Sequence, residues 1–536
     1  METNLSLMVV ILLSGTIIGR YIYLLRNHPL SPYPGPFLAK ITNWWAALYW
    51  WRGDLHIKLY ELHKKHGEII RIGPNNISYC SRLAMTEIYS VRANVRKDNV
   101  FAVLHSARHT PGSISCIDKE EHMFRRRILK RIFSDTTLRE FEDEIREKIE
   151  AFCALLGAHT TTPSLTGQTS KGPVKNLGKL SDHLAWDILS GLCFGTSFDM
   201  MKSSALHCVT RIFDHVTRRN ALCFAQPGIW LLRLENLILA PVLGSIMHFG
   251  SWFSKYSEER LKLGADAQRK DFFHYLFTAE DPKTSRRMNE KELWIELFQV
   301  LVAGSDTTAI AISSTLFYLL HNPHTLLKLN HEIRARFLST SDIRTGAVMD
   351  SCLYLRACIK EAMRLSPPVA GASPRRVLKG GMTVCGHYFP EGVVIGTPIY
   401  AVHRSEEYFL DADAFRPERW MPSTTNDPDQ VEEAHEERRK LAESAFFPFS
   451  YGPRSCVAQK MAWKEITFAI AQVLFRYDLV LTEEDGSEFR PVSGRCRCRC
   501  AGDGNQVGGH CQYELKGWIA SRRKTKGPFV LARERL

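Results

Sequence analysis

No Gly/Ser-rich linker and no internal repeat divides the 536 residues, so nothing in the chain marks a domain boundary, although its length permits more than one domain. No G-x-G-x-x-G follows a strand-like run, which argues against a built-in dinucleotide site. The basic residues lack any zinc-finger, RNP or helix-turn-helix context, so nucleic-acid binding has no support. Acidic residues are the scarcer sign, 57 against 70 Lys and Arg. The resulting excess favours an acidic partner or an anionic membrane surface.

The chain does have apolar material: 45% of its residues are hydrophobic and 24% charged, which excludes disorder, collagen-like repeats and a polytopic membrane protein as descriptions of the whole. Fourteen cysteines would suffice for a disulfide framework. Most of them, such as Cys153, Cys193, Cys223 and Cys358, instead stand singly in apolar surroundings, as buried thiols of a reducing compartment do. Only Cys496, Cys498, Cys500 and Cys511 cluster, and C-x-C-x-C followed by one distant cysteine departs from zinc-finger spacing.

The run 5–25 is long enough for one membrane-spanning helix and is broken only by Arg20, which can snorkel. Arg20, Arg26 and His28 lie at its C-terminal side and only Glu2 before it, so the positive-inside bias predicts a luminal 1–4 and a cytosolic body. No small-x-small cleavage site precedes the Pro-rich stretch 26–36, which reads as a stiff hinge to a catalytic domain over 37–536. Within that domain, residues 68–74 and 76–80 predict strands around a Gly-Pro/Asn-Asn turn. Helical periodicity follows over 120–133, 138–156, 180–193, 292–320, 323–337 and 354–365. Short strands return at 382–385 and 393–398 before a final helix over 457–475. The expected fold is mainly α with a smaller β region.

Candidate chemistry centres on Phe449-Ser450-Tyr451-Gly452-Pro453-Arg454-Ser455-Cys456. A cysteine just before a helix gains from the helix N-terminus, which favours thiolate over thiol. Gly452-Pro453 gives a tight turn, Arg454 can pair with an anionic ligand group, and Phe449 can shield the sulfur from water. Ala303-Gly304-Ser305-Asp306-Thr307-Thr308 lies inside a long apolar run where Gly, Asp and two Thr disfavour a helix. Such a local violation points to a site.

F-x-x-G-x-R-x-C resembles the haem-binding signature of the cytochromes P450, with Ala458 where the family has glycine. The resemblance, which runs from the anchor to Pro528 and includes Tyr33-Pro34-Gly35-Pro36 and Ala401-Val402-His403-Arg404, is to fungal microsomal secondary-metabolite monooxygenases. It implies haem b held by Cys456 as axial iron ligand and a P450 fold behind the anchor. Ala303 to Thr308 resembles the oxygen-activating segment, where local distortion opens a groove, Thr307 hydrogen-bonds the oxygen-derived group and Asp306 relays protons. Glu361 and Arg364, with Arg419 of Pro417-Glu418-Arg419-Trp420, resemble a structural Glu-Arg-Arg triad. His122 and Arg126 stand where the family has W-x-x-x-R and, with Arg375, are implied propionate donors.

The same resemblance implies O2 as co-substrate, electrons from an NADPH-cytochrome P450 reductase, a lipophilic substrate and an endoplasmic-reticulum membrane. Arg125, Arg126, Arg127, Lys130, Arg131, Lys460 and Lys464 form the basic face expected to meet that reductase. Leu237 to Phe253 falls where the family has a mobile access cover. Residues 491–520 look like an insertion relative to the family, untrimmed intron sequence included. A haem-thiolate isomerase or dehydratase, or a non-catalytic haem protein damaged by that insertion, remain the alternatives.

Overall fold

The computed structural model describes residues 2–105, 110–158, 173–263, 270–422, 431–485, 487, 511–524 and 526–535. An apolar helix, α1 (Glu2–Ile22), stands clear of the rest. Leu7, Ile11, Leu12 and Ile18 on it are more than half exposed, and a continuous apolar surface of this kind is stable only against another apolar phase. It is a candidate membrane anchor. The stretch expected as a hinge is not a free spacer. Leu30 is buried, the Tyr33 ring stacks on Phe389 with centroids 5.7 Å apart, and buried Arg71 donates to the Leu24 carbonyl at 2.8 Å. Proline stiffness is used here to lay the segment onto the globule.

The helical body contains α2 (Lys119–Ile132), α3 (Leu177–Phe194), α4 (Cys208–Ala225), α5 (Leu243–Leu263), α6 (Glu290–His321), α7 (Leu353–Leu365) and α8 (Gln459–Arg476). The expected segments locate α2, α3, α6, α7 and α8 to within a few residues; α4 and α5 are not among them, and 138–156 divides at Phe141 into Asp135–Glu140 and Glu142–Gly157. Helix α6 starts in a capping box: Asn289 accepts from the Glu292 N–H and Glu292 from the Asn289 N–H, both at 3.0 Å. It is apolar and long enough to cross a membrane, yet most of it is buried inside the protein. Apolar residues all round it therefore belong to the core, where α3, α7 and α8 pack on it.

The largest sheet of the smaller β region has five strands in the order β1-β2-β5-β4-β3, from β1 (Ile69–Gly73), β2 (Asn76–Tyr79), β3 (Val95–Lys97), β4 (Arg375–Val377) and β5 (Val394–Gly396). Only β2 and β5 run parallel. The antiparallel β3–β4 register sets Lys97 opposite Arg375. Two residues nearly three hundred positions apart thus share one edge of the site.

A hairpin of β6 (Leu515–Gly517) and β7 (Ser521–Arg523) begins within the C-terminal part of the expected 491–520 insertion. Residues 511–520 are built into the fold: Tyr513 and Ser313 share a hydroxyl bond at 2.8 Å, Arg404 donates to Gln512 at 2.9 Å, and the Gly517 N–H donates to the Gly53 carbonyl at 2.7 Å. The part of that expectation on 491–510 lies outside the described residues. Ten described cysteines are free, and Cys511 is disulfide-bonded. Deleting 491–520 removes Tyr513, Leu515 and Trp518 from the interior and is expected to lower the melting temperature by roughly 3–9 °C, given ~1–3 kcal/mol per buried group lost and about 1 °C per kcal/mol for a chain of this size. A deletion confined to 491–510 spares those contacts, and differential scanning calorimetry of the two variants separates them.

Candidate functional site

Gly452 opens the thiolate loop with φ +73°, and a Cβ there would fall 1.9 Å from the Tyr89 carbonyl oxygen. Only glycine fits that turn. The chain then makes a 3₁₀ turn over Gly452–Arg454, and the Cys456 N–H donates to the Phe449 carbonyl at 2.9 Å, closing the loop on Phe449. Val457 and Ala458 form a turn, so α8 begins at Gln459, two residues later than its apolar pattern suggested. Ala458 sits at φ −91°, which an alanine adopts without strain. Burial raises the Cys456 thiol pKa, while the Ala458 N–H and Arg126 pull it partly back.

The Cys456 sulfur is accessible because the residue lines an internal cavity of about 370 Å³, a volume in the range of small-molecule pockets. Thr307, Val300 and Phe224 contribute to the cavity wall, as do Trp518 and Ile519 between β6 and β7.

Four basic residues line this cavity, Lys97, His122, Arg126 and Arg454, and a fifth, Arg375, stands opposite Lys97 on β4. Among the described residues no carboxylate pairs with any of them. They rest on neutral acceptors instead. Arg454 donates to the Cys116 carbonyl at 2.7 Å, Arg126 to the Ser455 carbonyl at 2.6 Å, Arg375 to the Ser373 hydroxyl at 2.8 Å, and Lys97 to the Ile114 carbonyl. Burial lowers the pKa of every member, and mutual repulsion adds to it for Lys97, His122 and Arg454. Arg454 is brought down to about 10 and His122 to about 2.

Uncompensated buried cations are costly unless a bound anion completes them. A thiol facing a cavity whose rim carries unpaired cations fits an iron porphyrin, which supplies a soft-ligand metal and two carboxylates. Lys97→Met is expected to speed haem transfer to apomyoglobin ten- to a hundredfold, from loss of one charge-assisted bond of ~1.5–3 kcal/mol. The same variant is expected to make the haem-free protein melt higher, because a strained buried cation is gone.

On α6 the cavity meets Gly304, Thr307 and Thr308. The helix runs unbroken from Glu290 to His321, so the expected distortion does not interrupt it. Gly304 serves close packing, since a Cβ would meet Leu189 of α3 at 3.0 Å, and the Thr307 hydroxyl donates back to the Ala303 carbonyl at 2.7 Å. Asp306 is buried and takes a hydrogen bond from Arg522 at 2.8 Å rather than lining the cavity. Burial pushes its carboxyl up to about 6, against the pull of Arg522.

Glu361, Arg364 and Arg419 come together behind the loop. Glu361 accepts from Arg364 at two 2.9 Å contacts, from Arg419 Nε and the Arg416 N–H at 3.0 Å, and from Trp420 Nε1 at 2.9 Å. Arg364 also donates to the carbonyls of His403, Ala412 and Ala414. The basic face expected to meet a reductase is largely neutralised. Arg125 is buried among Glu121, Glu292 and Glu296; Arg127 pairs with Asp281, Lys460 with Asp135 and Lys464 with Glu142. Lys130 and Arg131 remain exposed.

Three site groups escaped sequence reasoning. Lys97 lies in a three-residue strand with no motif around it. Glu465, which lines the cavity, accepts from the Thr308 hydroxyl at 3.0 Å, and burial raises its carboxyl to about 8. Its signal was a lone carboxylate ahead of the apolar run Ile466 to Ala471. Arg522 was hidden by the irregular sequence upstream of it.

This combination of helical body, thiol-bearing loop and cation-rimmed cavity is that of a haem-thiolate protein. Comparison with known proteins narrows the class. The family model for Cytochrome P450 matches residues 32–492. The chain is 34% identical to Cytochrome P450 monooxygenase AKT7 of Alternaria alternata over 97% of this chain and 95% of that protein. It is 33% identical to Cytochrome P450 monooxygenase poxM of Penicillium oxalicum over 86% of each. With Cytochrome P450 monooxygenase apf7 of Gibberella fujikuroi the identity is 32%, over 99% of this chain and 98% of that protein. The chain belongs to the cytochrome P450 family, and its activity is that of a haem-thiolate monooxygenase.

Proposed function

We propose that this monooxygenase inserts one atom of O2 into a lipophilic small molecule of fungal secondary metabolism, drawing two electrons from NADPH through a separate flavin reductase. The balance is R–H + O2 + NADPH + H⁺ → R–OH + H2O + NADP⁺. The observation that carries this reading is a largely apolar cavity with Cys456 on one wall and Thr307 on another. Haem b bound there supplies dioxygen activation, favoured by an electron-rich thiolate. Cys456 provides the iron ligand, Phe449 closes the loop around it, and Lys97, His122, Arg126, Arg375 and Arg454 hold the propionates. The Thr307 hydroxyl, now turned to the Ala303 carbonyl, can rotate to hydrogen-bond a group in the cavity. Asp306 and the Glu465 carboxyl are groups able to hold and release protons beside it. Glu361, Arg364 and Arg419 act structurally.

Helix α1 anchors the chain as a single pass in the endoplasmic-reticulum membrane, with the body in the cytosol. A second apolar surface supports entry of substrate from the bilayer: Leu231, Leu232, Leu237 and Met247, before and within α5, are each more than 60% exposed. Lys130 and Arg131, with the bulk of α2, offer the reductase its approach. The test is incubation of the membrane-bound protein with reductase, NADPH and ¹⁸O2 against a panel of fungal lipophilic metabolites. A product carrying one ¹⁸O per molecule is the expected result; products isomerised without ¹⁸O would move the chain to the isomerase alternative.

A further inference from the structure

We propose that Arg522 is a positioning residue that couples the seating of α4 over the cavity to the Asp306 carboxylate of α6. The proposal rests on the monooxygenase reading only for its consequence, the control of proton supply near Thr307. Its geometry stands independently.

Arg522 has a fixed base. Its hairpin is tied to the core by the Ser521 N–H on the Pro368 carbonyl at 2.8 Å and the Gly517 N–H on the Gly53 carbonyl. From there the guanidinium divides between two helices. Nη1 donates to Asp306 at 2.8 Å, while Nε faces Asp214 at 3.2 Å and Nη2 the Thr210 carbonyl at 3.4 Å, both on α4. Thr210 and Asp214 lie one turn apart on the same helix face. Helix α4 also carries Phe224 to the cavity wall, so the helix that shares this arginine also forms part of that wall.

The second Asp306 oxygen is buried and has no hydrogen-bond partner among the described residues, which leaves Arg522 as its main stabilising charge. The other charged groups facing Asp306 are Asp182 of α3, Asp214 of α4 and Arg523 of β7, of which Arg523 pairs with Asp182. While α4 is seated, Asp214 competes for Arg522 and adds a negative charge, so Asp306 holds a proton more readily. When α4 withdraws, Arg522 serves Asp306 alone and keeps it ionised. Closure of the cavity thereby brings this carboxyl toward the titration range in which it can pass protons.

The test is an infrared titration of the Asp306 carboxyl band in the haem-loaded full chain in lipid nanodiscs, the band being assigned by its loss in Asp306→Asn. Asp214→Asn is expected to lower the midpoint by ~0.5–1 pH unit, and Arg522→Gln to raise it by at least as much. Opposite displacements are what a guanidinium shared between Asp214 and Asp306 requires. Asp214 is 56% exposed, so its variant is expected to fold normally and is the deciding one. An unchanged midpoint in Asp214→Asn, or a rise, overturns the proposal. The reduced carbon-monoxide spectrum of the same samples reports haem ligation separately, so a failure of the monooxygenase reading would be seen there and not in the carboxyl titration.

Discussion

Cys456→Ser is expected to abolish the red-shifted Soret band of the reduced, carbon-monoxide-bound protein and to reduce ¹⁸O incorporation by on the order of a thousandfold or more, the scale at which removing one essential member of a catalytic unit is felt. Serine is nearly isosteric and keeps the loop, whose closing bond uses the Cys456 backbone N–H and the Phe449 carbonyl. What changes is the donor atom. An alkoxide ligand is less available than a thiolate, because the hydroxyl pKa lies far above that of a thiol, and it cannot push density onto iron in the same way. A variant that retained the band would show that another group ligates the metal. Far-UV circular dichroism on the same sample establishes that the loss is local.

The second large effect is on stability. Glu361→Gln is expected to cost about 3–5 kcal/mol, the usual penalty for breaking a buried ion pair from one side, because it leaves the Arg364 and Arg419 guanidiniums without their carboxylate. Glu361 and Arg364 are fully buried, and Arg419 nearly so. Arg364 also ties together the carbonyls of His403, Ala412 and Ala414, so disorder introduced here spreads through the segment that precedes the thiolate loop. A drop in the urea midpoint at pH 7 with unchanged slope reads the cost.

The same carboxylate gives a pH dependence of defined sign. Burial alone would raise Glu361, but Arg364 and Arg419 outweigh it and bring the carboxyl from 4.5 down to about 2. A carboxyl depressed on folding contributes fully above its unfolded value, and the contribution fades as pH falls through the folded one. The gap between wild type and Glu361→Gln is therefore expected to stay constant from pH 7 to about 5 and to narrow progressively between about 4.5 and 2. Urea titrations at a series of pH values measure it; a gap that widens on acidification would reverse the assignment.

The sequence by itself determined the segments whose information is local. The apolar run that became α1, the capping box that starts α6 and the Gly-Pro turn ahead of Cys456 each depend on residues within one or two turns of one another. Glu361 and Arg364 were legible for the same reason, being three apart on α7. Their meaning came only with Arg419, which the fold brings in from beyond β5.

Tertiary structure alone decided how charge is distributed around the cavity. Lys97 joins Arg375 because β3 pairs with β4. Glu465 meets Thr308 because α8 packs on α6. Arg522 reaches Asp306 because a hairpin more than two hundred residues downstream is pinned beside α6. The basic residues point the same way: five cations of α2 and two of α8 looked like one docking face, yet Arg125 turns inward to three carboxylates and Arg126 to the Ser455 carbonyl. Periodicity states which side of a helix is apolar. It does not state which partner an ionic side chain will find, because that depends on long-range packing and on the desolvation each charge must recover.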